Sequence, residues 1–113
     1  MKIQPTSPLT EATFFILLSL SPSAKHGYAI MKEVKALSKG RVVFSTGTLY
    51  GALRRLLEQG WIKRATDPKP NPTDRERKAY ALTEKGRRVV NAETERLRSL
   101  LATAEDRTSE SPV

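Results

Sequence analysis

The chain contains no cysteine. It can therefore form no disulfide bond, no thiolate metal site and no covalent intermediate on a thiol. The single histidine, His26, has no cysteine partner with which to complete a zinc site, so we interpret it as a residue at a helix start. We expect no metal and no cofactor, and the lack of disulfides fits a protein of the reducing cytoplasm.

Long hydrophobic runs are also lacking. The most apolar stretch, residues 14–20, is too short to cross a bilayer. Pro5, Pro8 and Glu11 precede it, and Lys2 supplies the only positive charge ahead of it, which is not the pattern of a signal peptide. This stretch is predicted to be a buried helix, with no membrane association.

Motifs of catalysis are absent as well. The sequence shows no phosphate-binding loop, no triad pattern and no zinc spacing. Two acidic pairs, Glu93/Glu95 and Glu105/Asp106, have no histidine or serine partner nearby, and we interpret them as solvated charge. No catalytic residue is assigned, and we do not expect an enzyme.

Positive charge is what the sequence has in excess, with a formal net charge of +8. Residues 41–88 contain twelve lysines and arginines against five acidic residues, a net +7, whereas residues 89–113 are net −2. A local basic field attracts polyanions and releases their counterions on binding. A solvated surface that only aids solubility would account for the same charge, so composition alone leaves nucleic-acid binding open.

Periodicity and capping signals divide the chain into seven segments. Thr10, Ser45 and Thr83 are placed to cap helices, and Gly40 and Gly60 to end them. On the second helix, apolar residues at steps of three predict that Tyr28 lies in the core. The predicted elements are helices over Glu11–Leu20, Gly27–Ser38, Thr46–Gln59 and Glu84–Glu105, and strands at Val42–Phe44, Trp61–Ala65 and Glu76–Leu82.

This order predicts a mostly α fold with a small β-hairpin. Three helices followed by a hairpin are typical of a winged helix-turn-helix domain, in which the hairpin is the wing. We assign that domain to residues 1–83, a C-terminal dimerisation helix to residues 84–106 and a flexible tail to residues 107–113.

The third helix has the composition of a recognition helix. Its leucines share one face and must enter the core. Its other face includes two glycines, each of which costs a helix up to about 1 kcal/mol relative to alanine but lets the backbone approach another surface closely. Its candidate DNA-binding residues are Ser45, Thr46, Gly47, Thr48, Tyr50, Gly51, Arg54 and Arg55.

Long cationic side chains flank the predicted wing. From there they can reach phosphates or the adjacent minor groove. A basic hairpin alone is more often plain surface, but behind a basic, glycine-containing helix it favours DNA. The candidate wing contacts are Lys63, Arg64, Arg75, Arg77 and Lys78.

The last helix has an apolar stripe that needs a partner. Its spacing is close to that of a coiled-coil seam, although part of it is expected to pack on the first helix of the same protomer. A helix of about 22 residues is roughly 33 Å long, more than one small domain covers, so we expect a two-fold dimer that reads a palindromic site. The candidate dimer residues are Val90, Leu97, Leu100, Leu101 and Ala104.

Three blocks of sequence resemble the PadR-like family of bacterial transcriptional regulators: His26–Ile30, Ser45–Leu56 and Ala79–Gly86. The resemblance covers residues 9–90 and points to the shorter branch, which has one C-terminal helix. It implies a winged helix-turn-helix regulator with a dimerising last helix. It also implies repression of a nearby gene, relieved by a ligand or signal that changes the dimer's geometry.

Three functions remain open from the sequence. The first is a dimeric DNA-binding repressor with an unidentified small-molecule effector. The second is a winged-helix module that binds protein, and the third is a small basic RNA-binding protein. Fold class alone does not decide among them.

Overall fold

The computed structural model describes residues 8–66 and 78–109. Four helices and a small sheet follow one another in an order close to the predicted one. Within the described residues, no helix is both long and apolar enough to cross a membrane. The elements are α1 (Glu11–Leu20), β1 (Lys25–His26), α2 (Gly27–Leu37), α3 (Thr46–Gln59), β2 (Ile62–Ala65), β3 (Ala79–Leu82) and α4 (Glu84–Ser109).

Helix α1 begins directly after its predicted cap, Thr10, and forms the centre of the fold. The Thr10 hydroxyl accepts a hydrogen bond from the Thr13 amide at 3.0 Å, which satisfies a backbone donor of the first turn. Ile16, Leu17 and Leu20 are almost completely buried in the core that α1 shares with α2, α3, α4 and the sheet. The predicted buried helix is confirmed.

The buried face of α2 differs from the predicted one. Ile30 and Val34 are fully buried, whereas Tyr28 is 62% exposed, so its prediction as a core residue is wrong. The core face follows the spacing of Ile30 and Val34, which turns Tyr28 toward solvent. There its ring contacts the Lys32 ammonium, 5.4 Å from the ring centroid.

The sheet has three strands rather than the two of a simple hairpin, in the order β1-β3-β2 with antiparallel pairing throughout. The predicted strand at Val42–Phe44 is wrong, and the short extra strand is β1, ahead of α2. In the Val42–Phe44 segment the Val42 amide donates to the Ser38 hydroxyl at 2.9 Å, and Val43 is 65% exposed. Local β propensity did not form a strand because these residues pair with no sheet edge.

Helix α4 packs on the domain only through its first half. Gly86, Val90 and Glu93 are buried, which places Val90 in the hydrophobic core of the chain rather than on the exposed stripe. Glu93 is 6% exposed, so its interpretation as solvated charge is wrong. The helix continues to Ser109, past the predicted end, and the last residues of the predicted tail lie outside the described part.

Glu93 is buried because its charge is fully engaged. Its carboxylate accepts hydrogen bonds from Arg96 Nε at 2.9 Å and Nη2 at 2.7 Å. These bonds hold the pKa of Glu93 below its ordinary 4.5 against the opposing effect of burial, and the backbone of Leu9 adds to the lowering. The contact therefore ties the segment ahead of α1 to α4.

A lowered carboxyl pKa makes stability depend on pH. The contribution of Glu93 is present above its unfolded pKa and is lost as the pH falls through the lower folded-state value. We expect the wild type to have a higher free energy of unfolding than Glu93→Gln at pH 7. This difference, the stability gap, should narrow as the pH drops below about 4.5. Urea unfolding across pH measures this, and a gap that stays constant to pH 2.5 would contradict it.

Candidate nucleic-acid interface

The outward face of α3 is unusually open. Leu49, Leu53 and Leu56 turn the other face into the core. Nothing lies within 4 Å of a Cβ placed on Gly47, and the nearest atom to one on Gly51 is Arg55 Nη1 at 4.0 Å. The backbone of the first two turns of α3 is therefore uncovered on the side away from the core.

The N-terminus of α3 is polar but not acidic. The Ser45 hydroxyl accepts from the Thr48 amide at 3.2 Å and donates to the Thr48 hydroxyl at 3.0 Å. No acidic residue stands in the first turn, and residues 45–48 are all exposed. The partial positive charge of this helix end is thus available to an anion.

Arg54 and Arg55 of α3 are both exposed. The ion pairs found between described residues do not include either of them. Glu58 was missed as a site residue, although it is four residues from Arg54, which places it on the same exposed stripe. Its negative charge marks the end of the surface that can approach a polyanion.

Tyr50 lies at the edge of this surface rather than on it. The residue is half-buried and packs against the core. A Cβ on Gly27 would collide with its hydroxyl, so Gly27 makes room for the ring at the start of α2. Tyr50 therefore links the two helices of the helix-turn-helix, and only part of it remains accessible.

The wing cations do not share one face. Lys63 stands opposite Ala81 in the β2–β3 register and Arg64 opposite Tyr80. Successive side chains of a strand point to opposite faces. Arg64 therefore shares the face of Ile62, which is buried in the core, and Lys63 takes the other face.

Of the remaining wing candidates, the structure describes Lys78 alone. Lys78 is exposed and immediately precedes β3. Arg75 and Arg77 lie outside the described residues. The structure thus brings Arg64 to the α3 side of the sheet and leaves Lys63 on the opposite side.

The apolar stripe of α4 is exposed where the helix leaves the domain. Leu97 is 39%, Leu100 54% and Leu101 57% exposed, and Ala104 is exposed as well. By helical spacing this stripe continues the face on which Val90 is buried. The first part of the face is covered by the rest of the same chain, and the second part by nothing in this chain's described residues.

Comparison with known proteins identifies the family. Residues 16–92 match the sequence model of the transcriptional regulator PadR-like family. The chain belongs to the PadR-like family. Among curated protein sequences, none matches the chain.

Solved structures of transcriptional regulators show the same fold. A transcriptional regulator from Clostridium thermocellum is 24% identical, with a TM-score of 0.67 over 84% of this chain and 87% of that one. A PadR family regulator from Clostridium difficile is 22% identical, with a TM-score of 0.66 over 86% of this chain and 96% of that one. Bacillus subtilis PadR in complex with operator DNA is 25% identical, with a TM-score of 0.61 over 71% of this chain and 44% of that one.

These likenesses confirm the predicted fold class. The chain has the helices, the small antiparallel sheet and the long last helix of PadR-like winged-helix regulators. The resemblance drawn from the three sequence blocks is confirmed by the family match.

Proposed function

We propose that this PadR-like regulator binds double-stranded DNA sequence-specifically, with α3 in the major groove. The observation that carries the proposal is the uncovered backbone at Gly47 and Gly51. A helix interior gains stability when glycine is replaced by alanine. Two glycines with open space above them are therefore best explained by a second surface that comes close to the helix.

The charges around the glycines fit DNA as that surface. Arg54 and Arg55 flank the glycine face, and arginine reads guanine edges and phosphates well because it presents two parallel donors. The amides at the α3 N-terminus suit a phosphate oxygen. Lys78 and one face of the wing add cations for the backbone of the same duplex.

We further propose that the protein binds as a homodimer through α4. The exposed leucines of α4 continue a buried face, and a second copy covers them by a two-fold axis without leaving an open edge. Such a dimer presents two copies of α3 about one helical turn apart, which favours a palindromic operator. Bacillus subtilis PadR has been solved in complex with operator DNA, which supports DNA binding by this chain. Repression by occupancy of such an operator is part of the proposal.

The substitution Gly47→Ala tests the α3 placement because it separates folding from binding. We expect the free energy of unfolding to stay constant or rise by up to about 1 kcal/mol, since the methyl meets open space and alanine favours helix. Affinity for the operator should fall by about tenfold, the equivalent of one weakened base contact, since the methyl keeps the α3 backbone away from the DNA. Urea unfolding and fluorescence anisotropy on the same preparation measure both.

Gln59→Ala is the matched control, since it changes an exposed, uncharged residue at the far end of the same helix. Its affinity should equal that of wild type. If Gly47→Ala binds the operator as tightly as this control does, the glycine face of α3 does not approach DNA and the placement is wrong.

A further inference from the structure

Tyr80 is buried in the central strand, yet one face of its ring meets a cation. The residue is 2% exposed and pairs directly with Arg64 across the β2–β3 ladder. The guanidinium carbon of Arg64 lies 5.8 Å from the ring centroid, within the range of a cation–π contact. An exposed wing arginine is thus in contact with a core aromatic residue.

The same ring also neighbours the recognition helix. Burial raises the pKa of Tyr80 above 10.0, the Arg64 cation opposes that rise, and the Tyr50 hydroxyl adds to it. Tyr50 is in turn positioned against Gly27 at the start of α2. Tyr50 packs against the hydrophobic core that contains Tyr80, and Arg64 lies over the Tyr80 ring, so these residues connect α3, β3 and β2.

We propose that Tyr80 is a positioning residue that holds the Arg64 guanidinium on the α3 side of the wing, where it contacts a phosphate of the DNA site that α3 reads. The inference rests on the proposed function. A free arginine loses side-chain entropy when it binds a phosphate, and a guanidinium already held on a ring loses less. Lys63 cannot take this role because it points to the other face of the sheet.

A double-mutant cycle separates this role from mere core packing. Tyr80→Leu keeps an apolar side chain but removes the ring, and we expect it to lower operator affinity about fivefold, the size of one cation–π contact. In the Arg64→Ala background the same change should alter affinity less than twofold, because no guanidinium remains to be positioned. Tyr80→Phe, which keeps the ring, should bind within twofold of wild type.

Lys63→Ala provides the matched background. It removes the same charge from the neighbouring residue on the opposite face of the sheet. In this background Tyr80→Leu should still lower operator affinity about fivefold. If Tyr80→Leu lowers operator affinity equally in the wild-type, Arg64→Ala and Lys63→Ala backgrounds, the inference is overturned, since Tyr80 would then act through the fold alone.

The wild-type protein gives a second measurement that needs no variant. The Arg64 side-chain protons should resonate upfield of those of Arg54, because only Arg64 lies over a ring. Coincident resonances would contradict the contact. Failure of the wild type to bind any duplex would reject the proposed function and the inference with it. Tight duplex binding in which the effects of Tyr80→Leu and Arg64→Ala on affinity simply add would reject the inference alone.

Discussion

The substitution Leu101→Glu is expected to convert the protein from dimer to monomer at micromolar concentration. In the protomer Leu101 is 57% exposed, so the new carboxylate does not disturb the fold. In the proposed dimer it would be buried against the leucines of the second copy without a counter-charge, which costs about 3 kcal/mol or more per dimer. Sedimentation velocity should show half the mass of wild type.

Operator binding should weaken with the loss of the dimer. A monomer engages one half-site and forfeits the gain from linking two recognition helices, so affinity should fall by roughly 100-fold. Ser99→Glu is the control, because it adds the same charge to an exposed position on the opposite face of α4. A Leu101→Glu protein that sediments as a dimer would show that the copies meet through another surface.

Gly86→Ala is expected to lower the free energy of unfolding by about 3 kcal/mol. A methyl group at this position would collide with the carbonyl oxygen of Trp61, which is backbone and cannot swing away. The same carbonyl accepts a hydrogen bond from the Thr83 amide at 3.1 Å, so moving it also weakens the connection between the wing and α4. The helix preference for alanine, up to about 1 kcal/mol, is too small to offset this.

Thermal unfolding measures the effect, and we expect the midpoint to fall by about 10 °C or more. Gly47→Ala is the matched control, since the identical change there meets no atom within 4 Å and should leave the midpoint unchanged or higher. Equal midpoints for the two variants would show that the close approach of α4 to Trp61 is not a constraint on the fold.

Much of the fold was predictable because its helix ends are determined locally. Thr10 and Ser45 each accept a first-turn amide, and Gly60 adopts the left-handed conformation with φ of 77° that closes α3. These signals depend on neighbours in sequence, so α1 and α3 were predicted with their observed bounds.

The errors have a common tertiary origin. Val42–Phe44 has strand propensity but pairs with no strand, whereas Lys25–His26 forms β1 because β3 lies beside it. Glu93 was predicted to be surface charge, but it is buried and accepts hydrogen bonds from Arg96 and the backbone of Leu9. The pairing of β1 with β3 and the approach of Leu9 to Glu93 are contacts between distant segments, and periodicity carries no information about them.

The residue types of the candidate site were predictable from the sequence, but the directions in which their side chains point were not. The glycines and arginines of α3 could be assigned to an outward face from helical spacing alone. Placing Lys63 and Arg64 on opposite faces of the sheet required the register of β2 against β3. Recognising that Tyr50 is half-buried required the position of Gly27. Glu58 could have been found from its spacing to Arg54.

Hydroxyl-radical footprinting on duplexes selected by the protein from a random pool tests the central claim most directly. We expect a selected palindrome with two protected segments whose centres are about one helical turn, 10–10.5 base pairs, apart. We also expect the protection to weaken steeply as salt rises. Selection that yields no preferred sequence, or tighter binding to RNA than to any duplex, would contradict it.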